Sequence, residues 1–216
     1  MKEFFINNKF IILGSNHHNT LGVIRSLGEK GIESYVFIID SDKSYVSKSK
    51  YVKKSFHVES KDLISLLLET FGNEDEKPFI IPTTDLTVSL IDLNINELKD
   101  KFIILNMNNE QGKITQLMNK EIMCEFARRI GFNVPKSWVI DILDGNIEKN
   151  IPYDIFFPCI IKPLQSIDGQ KSDIAICNSL DELILELNKM KTSYKKVLVQ
   201  QFISIDKEFG VMGCSS

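Results

Sequence analysis

The sequence predicts an α/β fold: a leading parallel sheet, then a second, mixed α+β region. Three observations carry this reading. From Phe10 to Leu105, apolar runs of strand length alternate with amphipathic helical stretches. The first unit of that alternation, from Phe10 to Ile39, covers about thirty residues, the length of a βαβ crossover. After Leu105 the pattern changes, and a long amphipathic helix opens a region of short strands. With 43% hydrophobic and 25% charged residues in 216, the chain has the profile of a protein that builds an ordinary core.

Each element has its own justification. Phe10–Leu13 is a short apolar run closed by Gly14, a buried strand entering a turn. Leu21, Ile24 and Leu27 mark one helix face between Thr20 and Lys30, and Gly31 stops it. Ser34–Ile39 is a second β-rich run. Ser60 is placed to cap a helix carrying Leu63, Leu66, Leu67 and Phe71. Phe79–Ile81 is a strand stopped by Pro82, and Thr83-Thr84-Asp85 offers caps for a helix through Leu98. Phe102–Leu105 is another short strand. Strands that alternate with helices argue for a parallel sheet covered on both faces. The first domain is expected to be residues 1–107, ending where polar residues cluster.

The second domain is expected to be residues 108–216. Asn119 caps a helix whose stripe is Ile122, Met123, Phe126, Ala127 and Ile130, with Gly131 at its end. Ser137–Ile140 is extended, and Asp141–Tyr153 is a polar connection with weak periodicity. Cys159–Ile161 and Ile174–Cys177 are strands. Ser179-Leu-Asp-Glu182 fits a capping box opening a helix to about Lys191. Val197–Gln201 and Phe209–Met212 are the last strands. The sequence stops at Ser216, just after an apolar strand that still needs a paired edge and a covered face. The second domain is therefore expected to be the front part of a longer module.

Charge and cysteine usage narrow the function classes. A net charge of −3 lacks the basic excess of a general nucleic-acid or membrane-surface binder, so neither partner is expected. Cys124, Cys159, Cys177 and Cys214 form no C-x-x-C pair and sit among apolar or small residues. They read as buried free thiols in a reducing compartment. Met1–Leu13 has no signal-peptide core, and the apolar runs fall short of the ~20 residues of a membrane span. A cytoplasmic location follows as the expectation.

Three stretches could carry chemistry. The turn Gly14–Gly22 could hold a phosphate on its amides, or could be a tight strand-to-helix turn. It matches neither G-x-G-x-x-G nor the P-loop, and the adjacent His17 and His18 lack further ligands for a metal. Lys162 closes a buried apolar strand, where a cation is costly unless paired. A lone lysine there would snorkel to water. The small, polar stretch Leu164–Asp173 that follows favours instead a phosphate lid to which Lys171 contributes. The third stretch, Val197 to Ile203, could be plain sheet edge or a hinge whose backbone reads an adenine edge.

Taken in order, FIILGS, SKSKYVKKSFHV, IIPTTD, NKEIMCEFARRIGFNVPKSW, PCIIKP, VLVQQFI and EFGVMG resemble the ATP-grasp superfamily of carboxylate–amine ligases. The nearest members are the carbamoyl-phosphate-synthase-like and amino-acid-ligase-like ones, and the likeness runs from Phe10 to Gly213. It implies a Rossmann-like leader domain, then the first subdomain of an ATP-grasp module. It implies ATP and Mg²⁺ as cofactors, small-molecule carboxylate and amine substrates, and is compatible with a homodimer. By this resemblance Lys120 and Lys162 contact the phosphates of ATP, and Lys171 belongs to the loop above them. Gln200, Phe202 and Ile203 lie on the base, and Glu208 takes the ribose hydroxyls. Ser15–Asn19 and Thr83–Asp85 would line the acceptor side.

The chain departs from the pattern in three places. Gln200 stands where relatives commonly have Glu, and its carbonyl could accept from the adenine amine. The loop after Lys162 has one glycine, Gly169. The acid and following Glu-x-Asn that hold Mg²⁺ in the family have no match, so the metal ligands are expected outside this chain, which alone would be inactive. The competing reading is a non-catalytic nucleotide-binding or regulatory module. A nicotinamide oxidoreductase is disfavoured, because the dinucleotide fingerprint is missing.

Overall fold

The computed structural model describes residues 8–143, 146–164 and 173–207. Two compact units divide the chain, Met1–Leu117 and Met118–Ser216.

The first unit is a four-stranded, all-parallel sheet. Its strands are β1 (Phe10–Gly14), β2 (Ser34–Ile39), β3 (Val52–Val58) and β4 (Phe79–Pro82), in the spatial order β3-β2-β1-β4. Every residue of β1 is buried, because both faces are covered. Ile12, Val36 and Ile38 pack on one face with Ile24 of helix α1 (His18–Gly28). On the other face Ile11, Leu13, Phe37 and Ile80 meet Leu63, Leu67 and Phe71 of α2 (Leu63–Phe71). The helix expected from Thr84 to Leu98 is instead two: α3 (Asp85–Leu93) and α4 (Ile95–Leu98), broken at Asn94. Thr84 caps α3 and shares a reciprocal capping box with Thr87.

Three further details differ from the sequence expectation. Strand β3, whose lysines made it read as polar, pairs in parallel at the edge of the sheet. Lys53 and Lys54 suit such an edge, since exposed charge blocks pairing with another chain. Residues Phe102–Leu105 do not form a strand; Ile103 makes a single parallel bridge to Phe79. The compact unit extends past residue 107, because α5 (Lys113–Leu117) docks on α3, where the backbone N–H of Thr115 donates to Asp92 Oδ2 at 2.7 Å.

The second unit is an antiparallel sheet. Its strands are β5 (Ser137–Asp141), β6 (Cys159–Pro163), β7 (Ala175–Cys177) and β8 (Lys196–Gln201), ordered β5-β8-β6-β7. Helix α6 (Lys120–Arg129) begins at Asn119, whose side chain accepts from the backbone of Glu121 and Ile122. The apolar stripe expected on α6 is displaced. Cys124 is its buried residue, whereas Met123 and Ile130 are exposed. A single turn, α7 (Ile147–Asn150), interrupts the connection after β5 and buries Ile147.

Helix α8 (Leu180–Met190) sinks Leu183, Leu187 and Met190 into a core with Cys159, Ile161, Val197 and Val199. Ser179 caps it, accepting from the N–H of Glu182. The Glu182 carboxylate returns to the N–H of Asn178, one residue before the position a capping box uses. Cys124, Cys159 and Cys177 are buried free thiols. The strand expected at Phe209–Met212 lies outside the described residues.

Candidate functional site

In a strand, successive side chains point to opposite faces. On β6 this sends Cys159, Ile161 and Pro163 to buried positions and leaves Ile160 and Lys162 half-buried. On β8, Leu198 and Gln200 lie across from them, with Lys162 opposite Leu198 and Ile160 opposite Gln200. The sheet therefore has one sealed face under α8 and a second, partly open face. Lys162 and Gln200 share that second face.

Lys162 Nζ donates to Gln200 Oε1 at 2.7 Å. Gln200 Nε2 donates in turn to Cys124 Sγ at 3.8 Å. Burial pushes the Lys162 ammonium below the ordinary lysine range, and the Cys124 thiol beside it acts weakly in the other direction. Lys120, the first residue of α6, sits at the end of the same strand. Its Nζ donates to the carbonyl of Pro163 at 2.9 Å, and its backbone N–H donates to that of Leu164 at 3.1 Å. The structure thus brings Lys120, Lys162 and Gln200 together around β6 and β8.

The segment after β8 is tied back to the sheet. Gln201 N–H donates to the Lys136 carbonyl at 2.8 Å, and Phe202 N–H donates to that of Pro158 at 3.1 Å. Phe202 is half-buried, while Ile203 is 51% exposed. Ile203 is thus available as apolar surface for a planar ring. Gln200 is 8% exposed and its oxygen is held by Lys162, so its side chain is not displayed at a hinge as the sequence suggested. Lys171 and Glu208 lie outside the described residues.

Sequence reasoning missed Cys124, whose thiol closes the chain of contacts from Lys162. The signal was present, because Lys120 and Cys124 are four apart and so share one face of the helix.

In the first unit, Ser15–Asn19 and Thr83–Asp85 come together at the C-terminal ends of β1 and β4. Thr20 and Thr83 share a hydroxyl–hydroxyl bond of 2.9 Å, and Thr83 also donates to the Leu13 carbonyl at 3.0 Å. Asn16 Oδ1 accepts from Ser44 Oγ and from the N–H of Tyr45, joining the loops after β1 and β2. A Cβ on Gly14 would lie 2.2 Å from Thr83 Oγ1 and 2.4 Å from Thr20 Oγ1. The turn is therefore filled by its own hydroxyls, which favours the tight-turn reading over a phosphate cradle. His17 and His18 are exposed, and His17 Nδ1 caps α1 by accepting from the N–H of Asn19.

No family model matches this sequence, and no curated protein does. Solved structures do match its fold. An L-amino acid ligase from Bacillus licheniformis superposes with a TM-score of 0.67 at 12% identity, over 91% of this chain and 44% of that one. A carboxyaminoimidazole ribonucleotide synthase from Aspergillus clavatus, complexed with ATP, gives 0.66 at 12% identity over 93% and 48%. An N5-carboxyaminoimidazole synthetase from Staphylococcus aureus, complexed with ADP, gives 0.63 at 15% identity over 92% and 48%. The chain spans a little under half the length of these structures. These neighbours are ATP-grasp ligases, and this chain has the fold of their N-terminal portion.

Proposed function

We propose that this chain is the front of an ATP-dependent ligase that joins a carboxylate to an amine through an acyl phosphate. The observation that supports the reading most is the environment of Lys162. A half-buried ammonium on a sheet is bonded to a neutral amide, and burial weakens its hold on its proton. Taking a cation out of water is costly, and a protein that retains one without a paired carboxylate holds it for an anionic ligand.

Lys120 brings a second ammonium to the end of the same strand. In this reading the two lysines meet the charge of the transferring phosphoryl group, and the segment from Gln200 to Ile203 lies on the base. Lys171 and Glu208 are assigned to the phosphates and the ribose. Ser15–Asn19 and Thr83–Asp85 line the acceptor side. The carboxylate oxygen attacks the γ-phosphorus and ADP leaves. The amine then attacks the acyl carbon and expels phosphate. A magnesium ion on the triphosphate would offset the developing charge. Among the described residues no three His, Cys, Asp or Glu gather to hold a metal, so no step is assigned to one here.

The test is turnover by the full chain with Mg-ATP and a panel of amino acids and other small carboxylates, with hydroxylamine as the trapping amine. The expected result is phosphate release and hydroxamate that depend on one class of carboxylate. Saturable ATP binding without turnover on any carboxylate would refute the ligase and leave a nucleotide-binding module.

A further inference from the structure

Gln200 can be oriented without ambiguity. An ammonium only donates hydrogen bonds, so the atom of Gln200 that faces Lys162 must be the amide oxygen. The amide nitrogen then turns toward α6, where the Cys124 thiol is a weak acceptor. Both ends of the amide are engaged, and the residue is 8% exposed.

The surroundings of Lys162 are otherwise apolar or cationic. Its neighbours on the same face are Ile160 on β6, Leu198 on β8 and, next along on β5, Val139. From α6 it meets the Cys124 thiol, while Lys120 is held by the Pro163 carbonyl. Among the described residues no carboxylate forms an ion pair with Lys162. A glutamate in place of Gln200 would bond to the ammonium and cancel its charge. The amide fixes the direction of the ammonium and leaves the charge whole.

We propose that Gln200 is a positioning residue: its amide oxygen aims the uncompensated Lys162 ammonium at the phosphates of a nucleoside triphosphate and takes no part in reading the base. This rests on the nucleotide site proposed above, and it separates the two roles that a residue at this place could have. A residue that reads the adenine amine matters only when that amine is present. One that aims a cation at phosphate matters equally for every triphosphate.

The experiment compares the wild-type full chain with Gln200→Glu and Gln200→Leu. Calorimetry measures the affinity for ATP and for purine riboside triphosphate, which lacks the 6-amino group. NMR of labelled lysine follows the titration of Lys162, with Lys162→Met assigning the signal. Gln200→Glu is expected to weaken both triphosphates by the same factor, about tenfold or more, and to raise the Lys162 midpoint. Gln200→Leu is expected to weaken both and to lower the midpoint further.

A loss confined to ATP would overturn the proposal in favour of base reading. So would a Lys162 midpoint that does not move in Gln200→Glu, the nearly isosteric variant least able to disturb folding. If the wild type binds neither triphosphate, the nucleotide reading fails by itself. The Lys162 midpoint then decides the positioning role alone: a rise in Gln200→Glu supports it, and an unmoved value refutes it.

Discussion

The two sheets solve the same burial problem in different ways. In the first, helices cover both faces, so consecutive residues of β1 are all buried and the strands read as continuous apolar runs. In the second, β6 alternates between buried and half-buried, with α8 sealing one face only. The ends of β1 and β4 are closed by threonine hydroxyls that bond to one another and to the backbone. The open face of the second sheet instead keeps a lysine bonded to an amide. A sheet buried on both sides has little room for polar chemistry on its strands. A sheet with one open face can mount a cation there and still have a core.

Core truncation tests this contrast most strongly. Phe37 is fully buried, stacks on Phe56 at 4.6 Å and meets Phe71 edge-on at 6.2 Å. Phe37→Ala should cost about 3–5 kcal/mol in denaturant unfolding followed by a probe in the first unit. Ile160→Ala, on the open face of the second sheet, should cost less than about 2 kcal/mol, below the range for a buried isoleucine. Equal costs would mean that the second face is covered too, and the comparison would break.

The closed end of the first sheet gives the next effect. Gly14→Ala forces a methyl group against the Thr20 and Thr83 hydroxyls and should cost about 1–3 kcal/mol. Adding Thr83→Ala should recover part of that loss, since residues in contact do not add independently. A strictly additive double variant would show that the hydroxyl is not what fills the turn.

The smallest effect is expected at Lys162. With no ligand, Lys162→Met should change stability by no more than about 1 kcal/mol at neutral pH, because relief of the buried charge offsets the lost bond to Gln200. The sign of its pH dependence follows from linkage. The folded protein holds this proton less tightly than the unfolded chain, whose lysine titrates near 10.5. Between the two midpoints the unfolded chain binds more protons, so the wild type gains stability as pH rises. Any advantage of the Met variant is therefore largest below the folded midpoint of Lys162 and fades toward about pH 10.5. Thermal melts between pH 7 and 10.5 that show the opposite trend would contradict this.

The parts of this molecule legible in the sequence were those with a local cause. Phe10–Gly14, Ser34–Ile39 and Phe79–Pro82 declare themselves as apolar runs next to turn residues, and Asn119, Thr84 and Ser179 as helix caps. Strand β3 was hidden, because an edge strand with Lys53 and Lys54 has no continuous apolar run. The displaced stripe on α6 was also illegible, since which face is buried depends on what the helix meets. The place of Lys162 at a strand end was readable from PCIIKP. Its bond to Gln200 was not, because that contact joins residues 38 apart and exists only once β6 and β8 pair.

The central claim is that Lys162 is held for the phosphates of a nucleotide. It is tested most directly by calorimetric titration of Mg-ATP into wild-type and Lys162→Met full chains that are equally folded by thermal melt. Losing a charge-assisted hydrogen bond of about 1.5–3 kcal/mol should weaken binding roughly 10- to 150-fold. An affinity unchanged in the folded variant would contradict the account.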